Sequence, residues 1–364
     1  MIPRTMPTWQ ITNWQDELKD LIQDPVTLID YLQLDRQWLE PAERAARMFP
    51  LRATRSFVSR IRKGDPADPL LLQILPLGAE LLPQPGYERD PLQERQFNPV
   101  PGLVHKYRSR VLLVAATQCA INCRYCFRRH FPYEDHQLSR PEWQPALDYV
   151  RQTPEVNEVI LSGGDPLSLG DKQIAWLVGA ISDIPHVTRV RIHSRYPVIL
   201  PSRVTDGLLK ALTTTRLKPV LVIHCNHPQE IDDQVRESLA ILASSQVTLL
   251  NQTVLLKNIN DNSRILATLS EALFSAGVLP YYLHMLDKVE GAAHFAVDDV
   301  QARALYGELL TLLPGYLVPK LVRETPHQAS KTPVPPLVEP RCASHGDYNE
   351  NTELERALSG AART

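Results

Sequence analysis

From Arg110 onward the chain alternates between short apolar runs and amphipathic segments, and this alternation restricts its possible folds more than any other feature. Strand-like runs cover Arg110–Ala116, Glu158–Leu161, Thr188–His193, Pro219–His224, Thr248–Val254 and Leu279–Leu286. Between them, Pro141–Arg151, Lys172–Ile181, Arg203–Leu212, Glu230–Ala243 and Ser263–Ala276 carry apolar residues at helical spacing. Ser139 and Glu142 stand at capping-box spacing before the first of these helices. Strands separated by helices pair in parallel, because a parallel connection needs a long crossover. The pattern predicts an α/β fold with a parallel sheet and its helices outside. Periodicity leaves a doubly wound sheet and a barrel both open. Either one presents ligands at the carboxyl ends of its strands.

The first hundred residues follow a different pattern. Trp14–Gln23 and Val26–Leu34 read as short helices joined by Pro-bearing turns. Glu43–Lys63 reads as an Arg-rich helix with Phe57, Val58 and Ile61 facing inward. Its arginines are expected on a solvated face, a docking surface for an acidic partner being the other reading. Proline is abundant, 31 of 364 residues, but it falls between apolar segments and so punctuates loops. The length accommodates one large domain or two.

Charge and composition then exclude whole classes. A formal charge of −2 gives no electrostatic reason to expect nucleic acid as a partner. No stretch approaches the ~18 apolar residues of a membrane span, and Met1–Gln10 lacks the apolar core of a signal peptide. Three of the five cysteines are clustered, which suits a reducing cytosol better than a disulfide framework. A cytoplasmic location is expected.

The clustered cysteines carry the chemistry. Cys119, Cys123 and Cys126 lie in Thr117-Gln118-Cys-Ala-Ile-Asn-Cys-Arg-Tyr-Cys-Phe, immediately after the first strand-like run. Three close thiols plus a distant fourth ligand could hold structural zinc, or the thiols could be unligated. Neither reading accounts for Tyr125 and Phe127 around the last cysteine or for the preceding strand. An ordinary four-iron cluster takes four thiolates, so three would leave one iron open for a small molecule. Cys225 and Cys342 read as incidental thiols.

Two further motifs sit at strand ends or beyond. The second strand runs into Ser162-Gly163-Gly164-Asp165-Pro166, where glycines allow close backbone approach and a carboxylate stands ready for an ammonium group. Far downstream, Ala329-Ser330-Lys331-Thr332-Pro333 places a lysine in a proline-rich loop. Taken alone, such a lysine is ordinarily just exposed.

Together these motifs resemble the lysine 2,3-aminomutases, a branch of the radical S-adenosylmethionine (radical SAM) enzymes. The resemblance runs from about His105 to Lys331 and includes Cys126-Phe-Arg-Arg129, Asn226-His-Pro228, Asn251-Gln252 and Tyr281 through Asp287. It implies an incomplete (β/α)6 barrel with a helical N-terminal extension and a short C-terminal segment, divided as 1–104, 105–316 and 317–364. It implies a [4Fe-4S] cluster on Cys119, Cys123 and Cys126, and S-adenosyl-L-methionine contacted by Ser162, Gly163, Gly164 and Asp165. Lys331 would carry pyridoxal 5′-phosphate (PLP) as a Schiff base, with Tyr107 and Gln252 beside it. Arg128 would hold the substrate carboxylate, a task suited to a guanidinium fork, while Asp287 and Glu324 would hold the distant ammonium of L-lysine.

The chain also departs from the better-known members of that family. Glu324 replaces an aspartate, His284 replaces a tyrosine, and the glycine-rich run before the PLP lysine is here Pro326-His-Gln-Ala-Ser330. The cysteine-rich C-terminal extension is missing. Arg128-Arg129-His130-Phe131 and the short tail look most like the branch making (R)-β-lysine for translation elongation factor P. That likeness implies a functional link to the elongation factor P lysylation ligase. An electron donor such as flavodoxin or ferredoxin and a homo-oligomer are also expected. Three rival readings are a glutamate aminomutase, a radical SAM enzyme working on another amine or a macromolecule without PLP, and a non-enzymatic zinc- or cluster-bearing adaptor.

Overall fold

The computed structural model describes residues 13–131 and 139–337. Nine strands form one sheet: β1 (Leu103–Tyr107), β2 (Arg110–Ala116), β3 (Glu158–Gly163), β4 (Arg189–Ser194), β5 (Lys218–His224), β6 (Thr248–Val254), β7 (Leu279–His284), β8 (Lys320–Arg323) and β9 (Thr332–Pro333). Their spatial order is their chain order. Strands β2 to β8 are parallel throughout, and β1 and β9 cap the two edges antiparallel.

All six expected strands are present. The seventh parallel strand, β8, and the two edge strands, of four, five and two residues, were not anticipated. β1 pairs with β2 through a tight hairpin that sets Tyr107 opposite Arg110.

Each parallel connection carries a helix: Gln144–Arg151, Asp171–Ser182, Asp206–Thr213, Asp233–Ser244, Ser263–Ser275 and Asp299–Leu312. Side chains of Thr205, Asp232, Asn262 and Asp298 cap four of them, accepting backbone N–H bonds two or three residues on. At the first, the Ser139 backbone N–H donates to Glu142 at 2.7 Å, the half of the capping box that glutamate supplies. Strand order never reverses, so right-handed crossovers place all six helices on one face of the sheet.

Alternation along the strands then separates core from cavity. Val159 and Leu161 of β3, Val190 and Ile192 of β4, and Leu221 and Ile223 of β5 join one apolar cluster with Ile174, Leu177, Leu208, Val235 and Leu239 of the helices. Each such residue contributes about 1.5–3 kcal/mol on full burial. Their neighbours point the other way, and there the residues turn polar: Ser162, Arg191 and His193, His224, then Gln252, Tyr282 and His284.

The N-terminal region shares the helix-side core. Trp14, Leu28, Ile29, Phe57, Val58 and Leu70 belong to the same apolar cluster as the sheet. Helix Trp14–Glu17 is shorter than expected, and Glu43–Lys63 is broken rather than one helix. Its pieces are Leu39–Ala46 and Arg55–Val58, separated by Pro50 and by a bridge from Ala53 to Ile22. Phe57, Val58 and Ile61 are buried as expected. Arg60 departs from the solvated face: it donates to the carbonyls of Val198 (2.7 Å) and Glu230.

Candidate active site

The cysteine loop leaves the carboxyl end of β2 and is stitched to the N-terminal region. Asn122 N–H donates to Arg52 O at 2.9 Å and Arg124 N–H to Gln73 O at 3.0 Å. The buried Arg124 guanidinium pairs with buried Glu80. Cys126 N–H donates to Cys123 O at 3.0 Å, closing a tight turn. Cys119, Cys123 and Cys126 are all free of disulfides. Burial pushes the Cys119 thiol well above its ordinary range, and nearby Asp165, Cys126 and Cys123 push in the same direction. Burial, then Cys123, raises Cys126 to about 11. Such thiols become thiolates when a metal supplies the compensating charge. Cys225 is wholly buried, its backbone bonded to the Asn251 side chain, and Cys342 lies outside the described residues.

The Gly-Gly-Asp turn at the end of β3 lies directly on this loop. Gly164 N–H donates to Ala116 O at 2.7 Å and Asp165 N–H to Gln118 O at 2.8 Å. A Cβ on Gly164 would stand 2.6 Å from Gln118 O and 2.7 Å from Gln118 N, and Gly163 adopts φ +112°. The glycines therefore have a packing duty against the cysteine loop. The Asp165 carboxylate has protein partners: Ser194 Oγ (2.6 Å), Arg195 N–H (2.7 Å) and Leu167 N–H (3.0 Å). Burial raises it to about 6 despite those donors. It ties β3 to β4.

Arg128 lies between that turn and the N-terminal region. Its Nε and Nη2 each donate to the buried Glu94 carboxylate at 2.7 Å, and Nη1 donates to Ser162 Oγ at 3.1 Å. The bidentate edge of the fork is taken by Glu94.

Lys331, Glu324, Lys106 and Tyr107 meet where β1, β8 and β9 converge. The Lys331 ammonium pairs with Glu324 Oε2, while Lys106 Nζ (3.0 Å) and Tyr107 OH (3.1 Å) donate to Oε1. Burial pushes the Glu324 carboxyl upward, but the two ammonium groups outweigh it and hold it well below the usual range. Asp287, just beyond β7, is close enough to feel the same charges. Burial first and Glu324 second raise it to about 7, with Lys331 and Lys106 opposing.

Three neutral histidines extend the polar face between these groups. His224 falls to about 4 through burial and the nearby Arg195 and Arg128 charges. His193 and His284 are likewise pushed well below the ordinary imidazole range, chiefly by burial; Arg191 and His224 act next on His193, and Lys331 acts on both. The Nε2 atoms of His193 and His284 are buried without a hydrogen-bond partner among the described residues. Gln252 sits buried on β6, in register with His224. Lys331 and Arg128 thus both act on His193, Lys331 and Glu324 both act on His284, and Asp287 feels Glu324 and Lys331.

Several residues escaped sequence reasoning. Glu94 and Lys106 sit in segments whose pattern gives no hint of a pocket. Arg195 had a usable signal, a polar residue right after a parallel strand, where such sheets present functional groups. Conversely, Asn226 and Asn251 prove to be braces: Asn226 Oδ1 accepts from Val254 N–H at 2.9 Å, and Asn251 bonds Cys225.

No protein-family model matches the chain. Individual relatives do. It is 50% identical over 331 residues to the L-lysine 2,3-aminomutase of Escherichia coli (strain K12), covering 91% of this chain and 96% of the relative. The L-lysine 2,3-aminomutase of Haemophilus influenzae is 48% identical over 320 residues, covering 88% and 95%. That of Clostridium subterminale is 35% identical over 326 residues, covering 89% and 78%. Identity at this level over nearly the whole chain means that the chain belongs to the L-lysine 2,3-aminomutase family.

Proposed function

We propose that this chain isomerises L-lysine to β-lysine, moving the amino group from C2 to C3. The observation carrying this reading is the Lys331–Glu324 pair, whose charges reach Asp287, at a polar sheet face to which Arg128 of the cysteine loop is also bonded through Ser162. The seven parallel strands would curl as an open barrel around that face. The helical region 1–104 would close one side, the barrel would span 105–316, and 317–364 would supply the lysine-bearing segment.

The residues fit the implied cofactors. Cys119, Cys123 and Cys126 are three disulfide-free thiols on one loop, a donor type that iron–sulfur clusters take. Orphaned nitrogens on His193 and His284 suit a cavity formed around a polar group. Cys119, Cys123 and Cys126 would hold the [4Fe-4S] cluster, with S-adenosyl-L-methionine beside Ser162, Gly163, Gly164 and Asp165. Lys331 would hold PLP, flanked by Tyr107 and Gln252. When bound, these groups supply a carbon-centred radical and a π bond across which nitrogen can migrate.

The protein's own work is positioning and exclusion. Arg128, steadied by Glu94, would orient the substrate carboxylate. Glu324 would exchange the Lys331 ammonium for the substrate's distant ammonium on Oε2, while Lys106 and Tyr107 keep Oε1 in place. Asp287 would supply the second anion. Two carboxylates at that end favour lysine and repel the side chain of glutamate. Burial around the histidines keeps water from the reacting carbons.

The branch likeness of the cysteine loop supports an (R) product destined for elongation factor P through its lysylation ligase; the clustered free cysteines support a cytoplasmic location, and flavodoxin or ferredoxin is proposed as the electron donor. Reduced anaerobic enzyme, reconstituted with both cofactors, should convert L-lysine to β-lysine, scored by chiral chromatography. Turnover of glutamate but not lysine overturns the assignment.

A further inference from the structure

The geometry points to Arg195 as a positioning residue that sets the reduction potential of the cluster held by the cysteine triad, through a direct N–H···S bond to Cys123. This rests on the triad holding an iron–sulfur cluster.

Arg195 follows β4 and is buried. Its Nη1 donates to Cys123 Sγ at 2.8 Å. Nη2 donates to Gln73 Oε1 at 2.6 Å and to Glu230 Oε2 at 2.9 Å. These partners are fixed in turn. Glu230 Oε1 accepts from Asn226 N–H (2.9 Å), His227 N–H (3.1 Å) and Gln73 Nε2 (3.1 Å). Asn226 Nδ2 donates to Tyr125 OH at 2.6 Å and to Gln73 Oε1 at 3.1 Å. The Phe57 ring lies 5.2 Å from the guanidinium carbon. Three separate regions thus hold one cation against one sulfur.

Such overdetermination exceeds what filling space requires. A reduced cluster carries one more negative charge than an oxidised one, so a donor hydrogen bond and a cation at a ligating sulfur favour reduction. Low local polarity amplifies the effect. The electron comes from an external low-potential donor, and no bond to Arg195 changes. Glu230 opposes the effect by drawing part of the guanidinium charge toward itself. The two residues act with opposite signs.

The test is an electron-paramagnetic-resonance redox titration of the reconstituted full-length protein, reduced with dithionite, without S-adenosylmethionine or PLP. Arg195→Gln should make reduction about tenfold less favourable, a shift of about 59 mV to lower potential for one electron. Glu230→Gln should shift the potential upward, and Arg195→Lys should fall between Arg195→Gln and the unaltered protein. Should Arg195→Gln fail to fold, the other two variants decide, because structural damage does not produce shifts of opposite sign. Equal midpoints across variants of equal iron content overturn the proposal. So does a rise confined to the KM for S-adenosylmethionine, which would assign the guanidinium to that ligand. Failure of the unaltered protein to assemble any cluster would instead sink the functional reading beneath it.

Discussion

Asp287 and Glu324 are both carboxylates near Lys331, yet their surroundings set them in opposite states. Glu324 is held ionised by Lys331 and Lys106, whereas burial and the Glu324 charge raise Asp287 to about 7. A substrate ammonium competes with a proton for Asp287, so kcat/KM for lysine should rise as pH goes from about 6 to about 8. Asp287→Asn should abolish that rise and cost about tenfold to a hundredfold, the worth of a hydrogen bond to a charged group at about 1.5–3 kcal/mol. A pH–rate profile of both proteins checks it; full activity of the unaltered enzyme at pH 6 would refute it. The linkage runs the other way for folding. Asp287 binds its proton more tightly folded than unfolded, so its stabilising contribution is present below about pH 4 and lost as pH rises through about 7. Substrate affinity improves as that contribution fades.

At the scale of elements, the decisive contact is that of the β3 turn with the cysteine loop. Gly164→Ala would drive a Cβ against the Gln118 backbone, which cannot rotate aside. The expected cost is about 1–3 kcal/mol, typical of overpacking, together with a lower iron content after reconstitution because the loop would be displaced. Thermal denaturation and iron analysis measure the two effects. Unchanged iron content would show that the loop tolerates displacement. Ser162-Gly163-Gly164 was legible in the sequence as a place of close approach. That the approach includes backbone to backbone was not, since the partner strand's register decides it.

At the scale of the molecule, one apolar cluster joins the N-terminal helices, strands β1 to β6 and the first five outer helices, while β7, β8 and helix Asp299–Leu312 pack in a second. Arg60, Arg124 and Arg128 each carry buried bonds from one region to another. Region 1–104 therefore has no core separate from the sheet, and heat should unfold the described parts in one transition, followed by circular dichroism and calorimetry. Two resolved transitions, or a folded fragment ending near residue 104 after limited proteolysis, would contradict this.

The sequence by itself determined the six main strands, the helix caps, the cysteine spacing and the position of Lys331, because each depends on neighbours within a few residues. Tertiary structure decided the rest. It gave Glu94 to Arg128, Lys106 to Glu324, and Arg195 to Cys123, pairs separated by 34 to 218 residues. Only Glu324 and Lys331, seven apart, were near enough for spacing to suggest a link. Arg195 and Cys123 meet because parallel strands bring distant carboxyl ends together, while the N-terminal region and edge strand β1 deliver Glu94 and Lys106; in that low-polarity setting each buried charge must find an opposite charge or a donor.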